Sequence, residues 1–436
     1  MFVLRLSARL LAIVAAVTVL AVASPTFAQL RRPPTDPQNL QQPRKSPMTL
    51  TPSVTVSEEF NDNVFLDNTR KEWDMITRIT PGVTFEVGEP TYRLAAGYFF
   101  TADLYARHPE LNQAFDAHSF IGDAVWKASP LLTLNAFDTF TLTTDTNLMN
   151  QESVATGRNR SYSNYMGGGA SYQVDPRTTV RGGALWVVQH FQSGDLFDSG
   201  TYGLDLAVDR AFTPRFTGTI GYEYRFFDIQ NLPDTTTHTP RLGVRFRFTE
   251  TITGTLSAGP TIETGSISRV TPAVIASLSQ RYGWGNISLD YTRAVGTAGG
   301  LGGTSDNQSG GATVQLTSLM PRLVVQGGPR YNSSVSPNHS IDVQGFTLPV
   351  QATYRLQTGI ALIAAYQFFH QRSESRALTP AGTAIAADAD QNRVWVGIQF
   401  GYPFTSRRHS AIASPSPGSS PVWRARRPLP RSARAA

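Results

Sequence analysis

Arg241, Arg245 and Arg247 fall at alternate positions of a stretch in which Leu242, Val244, Phe246 and Phe248 take the others. A period of two puts the guanidinium groups on one face of a β-strand and the apolar groups on the opposite face. The preceding stretch, Phe216 to Phe226, repeats the pattern. Phe216, Ile220, Tyr222, Tyr224 and Phe226 share one side, and Thr217, Thr219, Glu223 and Arg225 the other. Before it, Asp205 and Asp209 oppose Tyr202, Leu204, Leu206 and Val208. Arg93, Arg181, Arg281, Arg393 and Asp290 occupy comparable places. Such residues admit two chemistries. Paired, they form a wet, rigid wall. Unpaired, the arginines form a basic stripe that favours anions, as rings of Arg do in pores.

Other chemistries find little material. The chain has no cysteine, so it has no disulfide framework or thiol chemistry. Its seven histidines show no metal-ligand spacing, and no metal or cofactor is expected. Nothing resembles a Gly-x-Ser-x-Gly elbow or a phosphate-binding loop. His190, with Ser193, Asp195 and Asp198 nearby, and His238 are candidate rim residues. Ordinary loop polarity accounts for them, and no enzyme is expected. The net charge of +6 is also not a nucleic-acid signal. Arg5 and Arg9 supply +2 and the seven arginines after Phe404 supply +7, so the segment between carries −3. A nucleic-acid binder would carry its basic face on the folded body.

The elements that must position these residues are strands. Residues 1–28 have the basic start, short apolar run and small-residue exit of a secretory signal, with Gln29 as the expected mature start. Residues 29–49 form a Pro- and Gln-rich lead-in expected to be disordered. Residues 50–404 alternate strands with turns, and residues 405–436 make a basic tail expected to be disordered. Short turns recur at Gly88-Glu89-Pro90, Ala128-Ser129-Pro130, Val174-Asp175-Pro176-Arg177, Phe212-Thr213-Pro214-Arg215, Phe248-Thr249-Glu250, Tyr282-Gly283-Trp284-Gly285, Leu319-Met320-Pro321-Arg322 and Leu356-Gln357. Proline presets φ and cannot continue a central strand, so these are punctuation. Longer polar segments lie between them. This asymmetry, with strands longer than the globular norm and no apolar segment long enough for a membrane helix, predicts one all-β antiparallel transmembrane barrel. About 18 strands are expected, within 16 to 20, with short periplasmic turns and long extracellular loops. Aromatics such as Tyr98, Phe99, Phe100, Trp126, Trp186, Tyr222, Tyr224 and Trp395 are expected in the interfacial girdles.

Two motifs add a resemblance. The last strand, Val394 to Phe404, carries Gly397, Phe400, Tyr402 and Phe404. It resembles the closing strand of bacterial outer-membrane barrels, which implies recognition by the barrel-assembly machinery. It departs from that pattern in having Trp395 where a polar residue is usual, and in the 32 residues that follow Phe404. Near the start, Val54-Thr-Val-Ser-Glu-Glu-Phe-Asn-Asp-Asn-Val-Phe65 is followed by Asp74 and by Ile79-Thr-Pro-Gly-Val-Thr-Phe85. This resembles the β-barrel porins associated with exopolysaccharide operons of Gram-negative bacteria. On residues alone, Asn61-Asp62-Asn63 is either an Asx-turn at a loop entrance or a calcium or ligand site.

The resemblance implies an outer-membrane, porin-like channel for passage or export of polysaccharide, and the inward arginines add small anionic solutes as the other expected cargo. Arg225, Arg241, Arg245, Arg247, Glu223 and Asp205 are the expected lumen residues. Outer-membrane lipid, the barrel-assembly machinery and polysaccharide-export components are the expected partners. The alternative is a non-conducting structural barrel that works through its extracellular loops.

Overall fold

The computed structural model describes residues 46–145, 154–192, 194–265, 268–374 and 388–406. The expected signal segment, most of the lead-in and most of the tail lie outside these residues. The strands are β1 (Ser46–Asn61), β2 (Asp74–Gly88), β3 (Tyr92–Tyr105), β4 (Gln113–Lys127), β5 (Leu132–Asp145), β6 (Arg158–Asp175), β7 (Thr178–Phe191), β8 (Ser199–Ala211), β9 (Phe216–Ile229) and β10 (Thr235–Arg247). They continue as β11 (Ile252–Thr264), β12 (Arg269–Tyr282), β13 (Gly285–Thr297), β14 (Thr304–Leu316), β15 (Leu323–Gly327), β16 (Arg330–Val335), β17 (Asp342–Gln357), β18 (Ile360–Ser373), β19 (Ala389–Gly401) and β20 (Phe404–Ser406). β15 and β16 are two halves of one stave, since both pair with β14 and β17. β19 and β20 likewise share the place beside β1. The twenty segments therefore make eighteen staves. Each pairs antiparallel with its neighbours, and β1 pairs with both β2 and β19, which closes the sheet.

Alternation decides which way each stave faces. On β10, Leu242, Val244 and Phe246 are exposed on the outside, while Arg241 and Arg245 lie on the inner face. The outer face repeats this around the ring with Val56, Leu94, Leu204, Ile220, Val270, Leu289 and Val396. An exposed apolar belt on a sheet without edges is the structure that hydrocarbon requires, because every backbone group is satisfied internally. The expected short turns all join strands at one end. The long connections, beginning with residues 62–73 between β1 and β2, lie at the other.

Three expectations need correction. Among the described residues pairing runs from Ser46 to Ser406, so the strands extend past 50–404: Met48, Thr49 and Leu50 pair with Ser406, Thr405 and Phe404. Trp395 is not a girdle residue. It shares the inner face of β19 with Arg393, whose guanidinium lies 5.8 Å from its ring centre. Phe99 is also internal and 3% exposed, its ring lying where a side chain on Gly82 would project. Tyr98, Trp126, Trp186 and Tyr222 are exposed on the outer face as expected.

Several of the long connections send apolar side chains inward. Val154, Leu196, Ala298, Leu301 and Ile341 come from four different loops, and they pack with Phe191 of β7 and Val343 of β17 into one buried cluster. β7 is the seventh stave and β17 the sixteenth, half the ring apart. An apolar core therefore crosses the barrel near its long-loop end. A second cluster joins Leu66 and Ala155, from two loops, to Phe369 and Ala389 of the wall.

Candidate functional site: the charged lumen and its mouths

The lumen residues singled out in sequence meet on β8, β9 and β10. Asp205 lies opposite Glu223 in the register, and Glu223 opposite Thr239. Arg225 reaches Asp205 at 3.2 Å and Glu223 at 3.3 Å. Arg241 reaches Glu223 at 2.7 Å and Asp205 at 3.4 Å. Two cations and two anions thus form a closed quartet, with Arg225 and Glu223 almost withdrawn from solvent. Arg181 pairs with Asp209 at 2.6 Å, and Arg245 interacts electrostatically with the same carboxylate. The mid-barrel wall is therefore paired. The basic stripe is not what these particular arginines form.

Sequence reasoning missed a second network at the closing seam. Glu59 on β1 is 1% exposed and accepts hydrogen bonds from Arg393 at 2.7 and 3.0 Å and from Arg78 at 2.9 Å. Arg78 also donates to both oxygens of Asp103, at 2.7 and 3.1 Å. Arg158 donates to the Tyr105 hydroxyl at 3.0 Å and pairs with Asp145 at 3.6 Å. Arg393 on β19 approaches Asp145 on β5 at 3.9 Å, so this network leaves the wall and reaches over the lumen. Glu59 and Arg393 are 334 residues apart in the chain. No spacing rule could have paired them.

The short-turn mouth is different. Lys127, Arg247, Arg281 and Arg355 lie near strand ends on the inner face, and Arg177 and Arg215 lie in the turns. None of the six side chains has an acidic partner among the described residues. Arg93 pairs only with the exposed Glu86, at 3.7 Å. Staves are about 4.8 Å apart. Cations two staves apart are therefore roughly 10 Å apart, about a Debye length in physiological salt, and their fields overlap. Arg247 and Arg281 belong to the inward set read from sequence. Lys127, Arg177, Arg215 and Arg355 could have been found as basic residues in or beside short turns.

The opposite rim explains the motif near the start of the chain. The Asn63 amide donates to Asn61 Oδ1 at 3.0 Å, an Asx-turn. Asp62 accepts from the Asn392 backbone at 2.6 Å and from its side chain at 2.7 Å, and Asn63 Nδ2 donates to the Asp390 carbonyl at 2.8 Å. Asn61 therefore closes the turn, while Asp62 and Asn63 tie the first loop to β19. Asp74, fully buried, accepts from the backbone amides of Met75 at 2.7 Å and of Ala106, Arg107 and His108 at 3.0 Å. The His108 ring bridges Asp74 and Glu72, both at 2.8 Å, and these hydrogen bonds raise its pKa above the usual histidine value, Glu72 contributing most. These carboxylates serve as backbone clamps. No cluster of metal-ligating side chains occurs among the described residues.

The closing-strand residues split by face. Phe400 and Phe404 are exposed on the outside, with Tyr402 against Phe404 at 4.9 Å. Gly397 faces Ser57 across the seam. A Cβ there would lie 2.6 Å from the Ser57 Cβ and 2.7 Å from the Val56 carbonyl, so only glycine lets β1 approach β19 this closely. His190 Nδ1 contacts Asp198 at 2.5 Å and His238 Nδ1 contacts the Tyr222 hydroxyl at 2.6 Å. Ser193 lies outside the described residues.

No family model matches the chain, and no curated protein matches it in sequence. Among solved structures it is similar in outline to Acinetobacter baumannii OccAB4, at 11% identity over 83% of this chain and 99% of that one, with a TM-score of 0.43. For Pseudomonas aeruginosa OpdO the identity is 12%, the coverage 82% and 98%, and the TM-score 0.42. For the outer membrane protein OpdK of the same organism they are 11%, 82% and 99%, and 0.41. Likenesses this distant carry no functional argument. The fold rests on the closure of the sheet itself.

Proposed function

We propose that this chain is a porin-like channel of a Gram-negative outer membrane, passing or exporting anionic solutes, polysaccharide among them. One observation carries the reading. The inner wall at mid-barrel is electrically paired, whereas Lys127, Arg177, Arg215, Arg247, Arg281 and Arg355 at the short-turn mouth have no acidic partner among the described residues. A basic mouth concentrates anions from the periplasmic side, and a paired wall beyond it does not trap them. The polysaccharide element rests on the resemblance carried by Asn61-Asp62-Asn63-Val64-Phe65 and Asp74. Outer-membrane lipid, the barrel-assembly machinery and polysaccharide-export components are the partners that go with it.

A second reading has its own support. The apolar cluster joining Phe191 to Val343 favours a barrel whose mouth is closed at rest, working through its loops. Purified protein in a planar bilayer separates the two. Stepwise conductance with an anion-selective reversal potential under a salt gradient supports the channel. Cation selectivity would remove the basic-mouth argument. Silence from well-folded protein would transfer the reading to the closed barrel.

A further inference from the structure

The outer wall from β4 to β7 departs from the rest of the apolar belt. Register sets Gly122 and Ala124 of β4, Ala136 of β5, Gly168 of β6 and Ala184 of β7 side by side facing outward. They floor a shallow groove of about 530 Å³ whose sides include Phe120 and Trp186. Asp138 stands on the same face, between Gly122 and Met166. It is the seventh residue of the fourteen-residue β5, and so lies near mid-stave. Asn164 Nδ2 donates to Asp138 Oδ1 at 3.0 Å. One carboxylate oxygen and one amide hydrogen of this pair have no partner among the described residues.

Other outward charges are placed differently. Arg293 and Asp306 neutralise each other at 2.6 Å near the long-loop ends of their strands, and Arg210 and Asp175 pair at the opposite rim. Glu58 is three residues from the end of β1 and bonded by Thr77. Among the described residues, only around Asp138 does an outward carboxylate without a cation sit mid-stave, in a patch of small side chains. Hydrocarbon offers nothing to the free oxygen and the free N–H, and bare polar groups at that depth are costly.

We infer that this wall is the face through which a second copy of the chain docks within the membrane. The small floor lets two barrels approach closely, and polar side chains act as glue where lipid supplies no competing driving force. The Asp138–Asn164 pair is also self-complementary. A two-fold axis passing through it brings the free N–H of each copy to the free carboxylate oxygen of the other, which satisfies both copies at once. Phe120 and Trp186 flank this point and add contact area. The inference rests on the barrel lying in a membrane and is independent of whether the lumen conducts.

The chain lacks cysteine, so a single introduced one reports cleanly. Met166→Cys lies beside the expected axis, and Ala276→Cys faces outward on the distant β12. Oxidation of outer membranes is expected to link Met166→Cys chains into a species of twice the mass and to leave Ala276→Cys chains single. Adding Asp138→Leu should lower the linked fraction about fivefold, while Asp138→Asn, which keeps an acceptor and a donor, should retain it. Heat-modifiable migration checks that each variant is folded. Equal linkage at both positions, no linkage in folded Met166→Cys protein, or an adduct with a chain of another mass would each overturn the inference. A folded Asp138→Leu variant that links undiminished would do the same.

Discussion

Gln371 of β18 holds Ala155, in the loop after β5, by two hydrogen bonds. Its Nε2 donates to the Ala155 carbonyl at 2.9 Å, and its Oε1 accepts from the Ala155 amide at 2.8 Å. Gln371 is fully buried, and 216 residues separate the pair. A wall residue thus fixes the backbone of a loop whose neighbour, Val154, belongs to the core crossing the barrel. Gln371→Ala is expected to weaken loop docking by about 1–3 kcal/mol, since two buried backbone groups lose their partners. Single-channel recordings should then show a larger or noisier conductance than the native chain, with heat-modifiable migration unchanged. An unaltered current trace would dissociate this loop from the conduction path.

The quartet on β8 to β10 predicts a charge effect opposite to that of the mouth. Asp205→Asn with Glu223→Gln leaves Arg225 and Arg241 uncompensated, so anion preference should rise and fall away again in high salt. Arg247→Gln with Arg281→Gln should reduce it, because those cations have no acidic partner among the described residues to release. Reversal potentials under a salt gradient check both signs. Burial of the quartet adds a stability cost of about 3–5 kcal/mol to removal of one sign of charge, visible as a lower urea midpoint for the Asp205 and Glu223 double variant.

At the long-loop rim, the clamp around Asp74 should depend on pH. The carboxylates of Glu72 and Asp74 raise the His108 pKa in the folded protein. Such a group stabilises the fold fully below its unfolded value of about 6.5 and loses that contribution as pH climbs through the raised folded value. Proteolysis of residues 106–112 should therefore be slow in mild acid and faster above neutrality. His108→Gln should flatten the profile. Asp74→Ala, which strips four backbone amides of their acceptor, should cost about 2–5 kcal/mol at neutral pH.

Facing on β10 can be tested one residue at a time. Val244→Arg should destabilise the barrel by about 2–4 kcal/mol if Val244 lies near the midplane, while Arg245→Thr should leave assembly nearly intact. Cysteines at 244 and 246 should react with a lipid-phase reagent, and cysteines at 245 and 247 with an aqueous one. The inverted pattern would mean the register is wrong by one residue.

Truncation after Ser406 should preserve insertion, because it keeps every described pair between the chain end and β1. Truncation after Tyr402 removes Phe404–Ser406, leaves Met48, Thr49 and Leu50 of β1 without their partners, and should slow assembly. Phe400, Tyr402 and Phe404 replaced together by serine should impair it further. Folded and unfolded bands on unboiled gels distinguish these outcomes.

Strand identity and facing were legible along the chain because they depend on neighbours one and two residues away. Val244 outside and Arg245 inside follow from a period of two. The turns follow from Pro90, Pro130, Pro176, Pro214 and Pro321, which cannot continue a ladder. The stave count follows from both. What alternation could not provide is the position of one strand against another. The pairing of Arg225 with Asp205, the 334-residue link between Glu59 and Arg393, and the half-ring between Phe191 and Val343 all depend on closure and register. Loop sequences that look merely polar conceal Val154, Leu301 and Ile341, whose burial exists only when four loops converge. Trp395 and Phe99 carried the right parity for the lumen, but an aromatic near a strand end suits a girdle equally well until the barrel has an inside. Asp138 is the reverse case. Its alternation with Phe137 and Thr139 looks like that of any strand, and only the closed sheet turns its carboxylate toward the membrane.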